Sequence, residues 1–463
     1  MVSRCITISW LSQAVAYHYP EIKAMSLANP MTHRKVWSIA GPIILANLSV
    51  PLVGAVDTAV VGHLPGPQYI GAVALGALIF SFLYWGFGFL RMGTTGFVAR
   101  AHGAGNHHEM EVLILRVLML ALVLSLLVIV LGRPLVTFAL WLLDGSPAVE
   151  RLATEYAQIR LWSAPATLCV YVCTGVYIGL QRTREVLVLQ LVLNGTNVVL
   201  DLLFVPVLGY GVEGVAWATL LAEYLAAGLG LWMLRQLLGK ALRQPNWQAV
   251  LDAAAMGSLL RSNSNLFIRT LCVVFAFSWF TAQSAKMGEL VLAANSILLH
   301  LQTFMGHGLD GFAHAAETLV GEASGARNRQ RFRAAVRMTT IWAGIIAVVV
   351  AAIYLAAGPW VLTLFSDQDA VLELALDYLP WMIVSPLLSV WSYQLDGIFI
   401  GSGNTREMRN AMAISTALFI ALTWALTPSL GNHGLYLALS LFMVVRAVTL
   451  WVHYPLTPPA PLH

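Results

Sequence analysis

The sequence predicts an all-α polytopic membrane protein, with twelve transmembrane helices in two pseudo-symmetric six-helix lobes. Composition, a succession of long apolar runs and an internal repeat at one offset carry that prediction. Of 463 residues, 59% are hydrophobic and only 10% charged, and the mean hydropathy is +0.75. An average soluble domain has about 25% charged residues. That deficit excludes an ordinary cytosolic enzyme, a disordered chain and a nucleic-acid-binding protein. The net charge of +4 is too small to call for a polyanionic partner. Cys5, Cys169, Cys173 and Cys272 are scattered and form neither a disulfide framework nor a metal motif.

At about 20 residues per span plus loops, the length holds about twelve spans. Apolar runs lie near 36–61, 70–97, 112–140, 155–180, 186–208, 212–235, 256–283, 290–320, 334–364, 375–401, 410–428 and 433–453. They are too long for strands and lack the alternation of a membrane barrel. Met1–Pro30 has no basic start, apolar run and cleavage site in order, so no cleaved signal peptide is expected. Basic residues gather in alternate loops, among them Arg34, Lys35, Arg100, Arg182, Arg184, Lys240, Arg243, Arg327, Arg329 and Arg406. The opposite loops hold little beyond Arg133, Arg151 and Lys286. This is the positive-inside pattern, and it predicts both termini on the cytoplasmic side of the cell inner (plasma) membrane.

Two motifs recur at the same shift of 222 residues. Val98-Ala-Arg-Ala-His-Gly-Ala-Gly-Asn106 aligns with Val320-Gly-Glu-Ala-Ser-Gly-Ala-Arg-Asn328. Gly175-Val-Tyr-Ile-Gly-Leu-Gln-Arg-Thr-Arg-Glu185 aligns with Gly397-Ile-Phe-Ile-Gly-Ser-Gly-Asn-Thr-Arg-Glu407. One chance match is easy; two at one offset are not. Six spans per half is even, so the halves share one topology and a pseudo-two-fold axis along the membrane normal. The expected organisation is a cytoplasmic segment at 1–33, an N-lobe at 34–235, a linker at 236–255, a C-lobe at 256–454 and a tail at 455–463. Two matched lobes around a cleft are the architecture of alternating access, which points to a transporter.

Gly41-Pro42 and the run Val50-Pro-Leu-Val-Gly-Ala-Val-Asp57-Thr-Ala-Val-Val-Gly-His63 resemble the multidrug and toxic compound extrusion (MATE) family. So do the Gly-Ala-Gly-Asn loop after span 2 and the Thr-Arg-Glu loops after spans 4 and 10. Span 1 looks most like the DinF-like branch. The resemblance implies the MATE/MOP-type fold and efflux of small, bulky, cationic or amphipathic compounds, driven by inward flow of H⁺ or Na⁺. It implies neither an enzyme nor a cofactor. A monomer in the bilayer, with no nucleic-acid partner, is expected.

An ionisable group inside a span costs at least a few kcal/mol, so each is a functional candidate. Asp57 lies near the outer end of span 1. Asn197 and Asp201 share a face of span 5, with Asp201 about two turns from its outer end, and Thr219 lies about two turns into span 6. All four reach similar depth. Their oxygens suit a hard cation such as Na⁺. Two carboxylates close together in low dielectric also suit a shared proton. The resemblance implies these same four positions, with Asp57 as proton switch, and a pocket tyrosine at Tyr156. Simple helix-to-helix hydrogen bonding is the plainer alternative, above all for Thr219. Pro42 and Pro51 remove hydrogen bonds from span 1 and let it bend.

The shift of 222 puts Trp279 opposite Asp57, so one coupling site, in the N-lobe, is expected. The C-lobe has its own polar stripe. His307, Asp310, His314 and Glu317 share one face of span 8, and His300 extends it. Arg261 and Arg269 in span 7 and Asp396 in span 10 are candidates to pair with it. The stripe reads as cavity lining, a second proton route or an ion-pair network; no metal is expected beyond a coupling Na⁺. Glu223, in span 6, has no evident role. The nearest rival is a lipid-linked-saccharide flippase, which Arg261 and Arg269 keep open. A membrane-embedded hydrolase lacks a nucleophile motif or His-Glu-x-x-His spacing.

Overall fold

The computed structural model describes residues 31–143, 145–239 and 244–454, without the side chains of Leu52, Ala55 and Thr58. The segment up to residue 30, linker residues 240–243 and the tail from 455 lie outside it. The first lobe holds α1 (His33–Val61), α2 (Pro67–Gly86), α3 (Phe89–Gly103), α4 (His107–Leu143), α5 (Pro147–Arg160), α6 (Ala164–Gly179), α7 (Thr183–Phe204) and α8 (Val212–Leu237). A short α9 (Trp247–Val250) precedes α10 (Ala253–Lys286), α11 (Glu289–Gly325), α12 (Arg329–Thr363), α13 (Asp369–Ser402) and α14 (Thr405–Val452).

These helices make twelve rods. The second is α2 running on into α3, with tight backbone bonds from Phe87 and Gly88 to Tyr84 and Trp85. The fourth is α5 running through a 3₁₀ turn at Leu161–Ser163 into α6. The 48-residue α14 breaks at Gly431, whose φ is +56°, and so supplies the last two. Asn295 holds that break by exchanging amide hydrogen bonds of 2.8 and 2.9 Å with Asn432. Among the described residues, nine helices are long and apolar enough to cross a membrane. Large side chains such as Val130, Trp141 and Trp451 point outward, more than 60% exposed. An apolar exterior on that scale fits lipid rather than water. Asp201 lies one turn, not two, from the end of its helix, because α7 stops at Phe204 and the chain turns.

The shift of 222 is visible in three dimensions. A β-carbon at Gly175 would meet the Arg91 carbonyl, and one at Gly397 would meet that of Ala313, the residue corresponding to Arg91. Gly179 lies in the same way on the Thr95 carbonyl, and Gly401 on that of Glu317. Small residues let α3 approach α6, and α11 approach α13, in the same register.

The two repeated loop motifs are helix stop-and-start signals. Asn106 N–H donates to the Ala101 carbonyl, and Asn328 N–H to that of Ala323. Arg182 to Tyr177 and Asn404 to Phe399 repeat the bond. These are six-to-one bonds of helix C-caps, which need a left-handed residue in front. Gly105, Gln181, Arg327 and Gly403 supply it, with φ of +69°, +60°, +51° and +85°. Asn106 and Asn328 then cap the next helix, accepting from Glu109 N–H at 3.1 Å and Arg331 N–H at 2.9 Å.

The lobes meet chiefly through α11 on α3 and α1, with α10 and α13 also on α3. Hydrogen bonds between them run from mid-bundle to the basic loops. They include Arg91 to His314, Thr318 to the Gly179 carbonyl, Arg100 to the Ile400 and Gly401 carbonyls, and Gln181 to Glu322.

Candidate functional site

In the first lobe, α7 packs against both α1 and α8. That brings Asp57, Asn197, Asp201 and Thr219 together. Asn197 and Asp201 are fully buried. Asn197 Nδ2 donates to Thr219 Oγ1 at 3.3 Å, and the Thr219 hydroxyl donates to the Val215 carbonyl at 2.9 Å. The carboxyls of Asp57 and Asp201 lie against each other. Among the described residues no donor reaches Asp57 Oδ1, Asn197 Oδ1 or either oxygen of Asp201. Buried acceptors without donors are costly, more so when charged. Four of them in one pocket call for a positive guest, either a proton shared by the carboxyls or a small cation.

Tyr156 is buried behind this pocket. Its ring fills the space over Gly76 and meets Phe80 edge-on at 6.4 Å. One turn on, Arg160 gives Glu223 a role. Arg160 Nη1 lies 3.1 Å from both Glu223 Oε1 and Ser163 Oγ, and Thr167 donates to Glu223 Oε2 at 2.5 Å. The guanidinium sits 5.4 Å from the Phe80 ring and 6.0 Å from that of Tyr84, within cation–π range. A lone carboxylate in span 6 demands a cation on a neighbouring span, and Arg160 is the basic residue inside span 4. That signal was in the sequence and singled out Glu223 alone.

The C-lobe stripe is not one network. His314 Nδ1 lies 2.9 Å from Glu317 Oε2, and its cation partner comes from the other lobe: Arg91 Nη1 is 3.1 Å from His314 Nε2. Arg269 and Asp396 pair with each other rather than with the stripe, and Arg446 joins them on the same carboxylate oxygen. His307 and Asp310 are half-buried, Asp310 near Tyr393. His300 does not extend the stripe; it is exposed and stacks on Phe365 at 5.5 Å. Arg261 is also exposed, on the outside of α10. Arg91 and Arg446 went unrecognised because helical spacing reveals a stripe on one helix but not the charges that neighbouring helices bring to it. Pro42 and Pro51 lie inside the continuous α1.

The MatE family model matches this chain twice, at residues 42–203 and 266–425, once in each half of the repeat. DNA damage-inducible protein F of Escherichia coli is 40% identical over 420 residues, covering 90% of this chain and 91% of that protein. Human multidrug and toxin extrusion protein 1 is 26% identical, covering 90% of this chain and 73% of that protein. Among solved structures, an outward-facing conformation of a multidrug resistance MATE family transporter superposes with a TM-score of 0.80 at 20% identity, over 91% of this chain and 94% of that one. A transporter of the MOP superfamily from Pyrococcus furiosus gives 0.81 at 20% identity, with the same coverage. The matched halves, the fold and the identity to the E. coli protein together make this chain a multi-pass membrane transporter of the MATE family and a homologue of DinF, not an enzyme.

Proposed function

We propose that the protein is a cation-coupled antiporter, with H⁺ favoured over Na⁺, that exports cationic or amphipathic compounds by alternating access. The observation that carries this reading is the pair of facing carboxyls, Asp57 and Asp201, amid buried acceptors with no donor. With both carboxyls ionised, the N-lobe favours a state that holds a cationic guest. A proton arriving between them neutralises the pocket. Pro42 and Pro51 leave α1 short of backbone hydrogen bonds, so neutralisation at Asp57 can reshape that helix and expel the guest. Only a ligand with different affinity for two states can drive such a change.

In this reading the basic loops are cytoplasmic, with both termini, and the protein acts as a monomer in the inner membrane. Residues 34–235 and 256–454 are the rocking lobes, joined through 236–255. In that orientation the inter-lobe bonds at the basic end lie on the cytoplasmic side. The flippase alternative leaned on the arginines of span 7. Arg269 is held by Asp396 and Arg261 lies on the outside, so neither supports a cleft built for lipid pyrophosphates.

The test is dye movement in proteoliposomes under a pH gradient or a Na⁺ gradient, wild type beside Asp57→Asn. Movement under one gradient, lost in the variant, supports the antiporter and names its ion. Wild-type rates in Asp57→Asn sink the mechanism.

A further inference from the structure

We infer that the C-lobe carries a site for an anionic phospholipid, its phosphate held by Arg333 and Arg337 of α12 and its acyl chain seated in the groove between α12 and α13. The inference rests on the protein's place in a bilayer and not on the antiporter reading.

Arg329, Arg333 and Arg337 follow one another at four-residue spacing along one side of α12, from its first residue onward. All three are exposed. Among the described residues no carboxylate pairs with any of them; Glu322 pairs with Arg331, which lies on another side of the helix. Arg337 is two turns inside α12, and the next residue along that side, Ile341, is apolar and exposed. A charge on the outer face of a span is rare and needs a partner. Helix packing supplies none here. Helical side chains lean toward the helix start, and a long arginine extends that lean to the headgroup layer. There its forked donors match a phosphate. Tyr454, just past the end of α14, lies beside Arg333 and stacks on Trp451 at 5.7 Å. Aromatic pairs of this kind belong at headgroup level.

The groove begins where the arginines end. Between Arg337 and Ile341, Gln394 of α13 donates to Thr339 at 2.6 Å and ties the two helices together. Beyond that tie, Ile341, Gly344, Ile345 and Val348 of α12 and Leu387 and Trp391 of α13 line a groove of about 590 Å³. Every side chain that lines it is apolar. Gly344 keeps it open, since a β-carbon there would touch nothing. From Arg337 to Val348 the rise is about 16 Å at ~1.5 Å per residue, the depth of one leaflet in a hydrocarbon core ~30 Å thick. Phosphate sites and acyl seat are therefore one lipid apart.

The internal repeat shows that the fold requires neither feature. α4 starts at His107 as α12 starts at Arg329, so the two helices keep the shift of 222. At the places of Arg329, Arg333 and Arg337, α4 carries His107, Glu111 and Leu115, and at the place of Gly344 it carries Leu122. The arginine row and the missing side chain occur together, on the same helix of the same lobe. A zwitterionic lipid brings its own cation to the phosphate. Arginines without carboxylates favour a headgroup with net negative charge, as basic segments at a membrane surface do.

The experiment reads retained lipid by native mass spectrometry. The purified full chain is equilibrated in mixed micelles of equal phosphatidylglycerol and phosphatidylcholine. Wild type should hold phosphatidylglycerol in at least about fivefold excess, the scale of one basic residue acting on anionic lipid. The excess should disappear in the double variant Arg333→Gln, Arg337→Gln. It should disappear as well in Gly344→Leu, which keeps both arginines and fills the groove as Leu122 does in the N-lobe. The control Arg184→Gln, Arg406→Gln removes two other exposed charges from the same end and should keep the excess. Selective retention that survives either test variant overturns the inference. So does equal loss in the control, which would mean that charge alone attracts the lipid. A dimer in wild type that Gly344→Leu abolishes, without selective lipid, would seat a second copy of the chain in the groove and overturn it too.

Discussion

Arg100 and Glu322 hold corresponding places in the two halves, and each turns its backbone carbonyl to the glycine that ends the other's helix. Gly325 lies over the Arg100 carbonyl and Gly103 over that of Glu322. The backbone of the seam is symmetric, while its charges are opposite. Arg100 donates to the Ile400 and Gly401 carbonyls in the last turn of α13, where a cation also meets the negative end of the helix dipole. Glu322, fully buried, accepts from Gln181 at 2.8 Å and pairs with Arg331. A repeat keeps its close backbone approaches because packing requires them. Its side chains are free to diverge.

That symmetry makes the two glycines equivalent. Gly103→Ala and Gly325→Ala each drive a methyl into the opposing backbone, and overpacking of this kind costs about 1–3 kcal/mol. Both should lower the thermal unfolding midpoint in detergent by similar amounts. Gly344→Ala, in the middle of α12 with open space around it, gains helix propensity instead and should not lower it. If Gly103→Ala unfolds with Gly344→Ala, the contact at the seam is not as tight as the geometry says.

The left-handed positions divide in the same way. Gly105 and Arg327 correspond, and the backbone asks the same φ of each. A side chain there costs roughly 1–2 kcal/mol. Arg327→Gly should therefore raise stability by about 1 kcal/mol, and Gly105→Ala should lower it by as much, since a β-carbon at Gly105 touches nothing and only strain is left. Unfolding midpoints check both; a destabilised Arg327→Gly would mean that the arginine side chain matters more than the turn.

Asp201→Asn isolates the carboxyl pair. The amide has nearly the shape of the carboxyl and supplies the donor that Asp57 Oδ1 lacks. The variant should fold with stability no lower than wild type at pH 8, because its amide N–H gives Asp57 permanently the donor that only a shared proton can supply in the wild type. Its gradient-driven dye transport should be abolished. Loss of transport together with loss of fold would instead mark Asp201 as a structural residue.

Most of the architecture was legible because membrane spans obey a length rule and the repeat kept its turn chemistry. The Asn106 and Asn328 motifs are readable as sequence since a helix stop followed at once by a helix start allows few solutions. That Asp57, Asn197 and Asp201 could share a pocket was legible from their common depth together with the resemblance to the family. The partners of buried charges were not. Glu223 lay 63 residues from Arg160, and His314 lay 223 from Arg91. Nothing local in either stretch specifies which helix face the other turns toward. The end of α7 was misjudged, because apolar residues continue past Phe204, where the helix stops, whereas the break at Gly431 falls in the gap read between spans 410–428 and 433–453.

Arg160 and Glu223 give the last prediction. Both side chains are less than 10% exposed, and each is the other's counter-charge. A buried pair adds little net stability against apolar residues of the same size, but removing one member strands the other and costs about 3–5 kcal/mol. Arg160→Met and Glu223→Gln should each be strongly destabilised. The double variant should recover most of the loss, with Thr167 still able to donate to the glutamine. A double-mutant cycle read from unfolding midpoints gives the coupling directly. Additive losses would mean that the aromatic rings of Phe80 and Tyr84, rather than Glu223, hold the guanidinium in place. Arg160→Lys separates these further, since lysine keeps the charge and loses the flat guanidinium that lies by the rings of Phe80 and Tyr84. It should recover less than half of the lost stability.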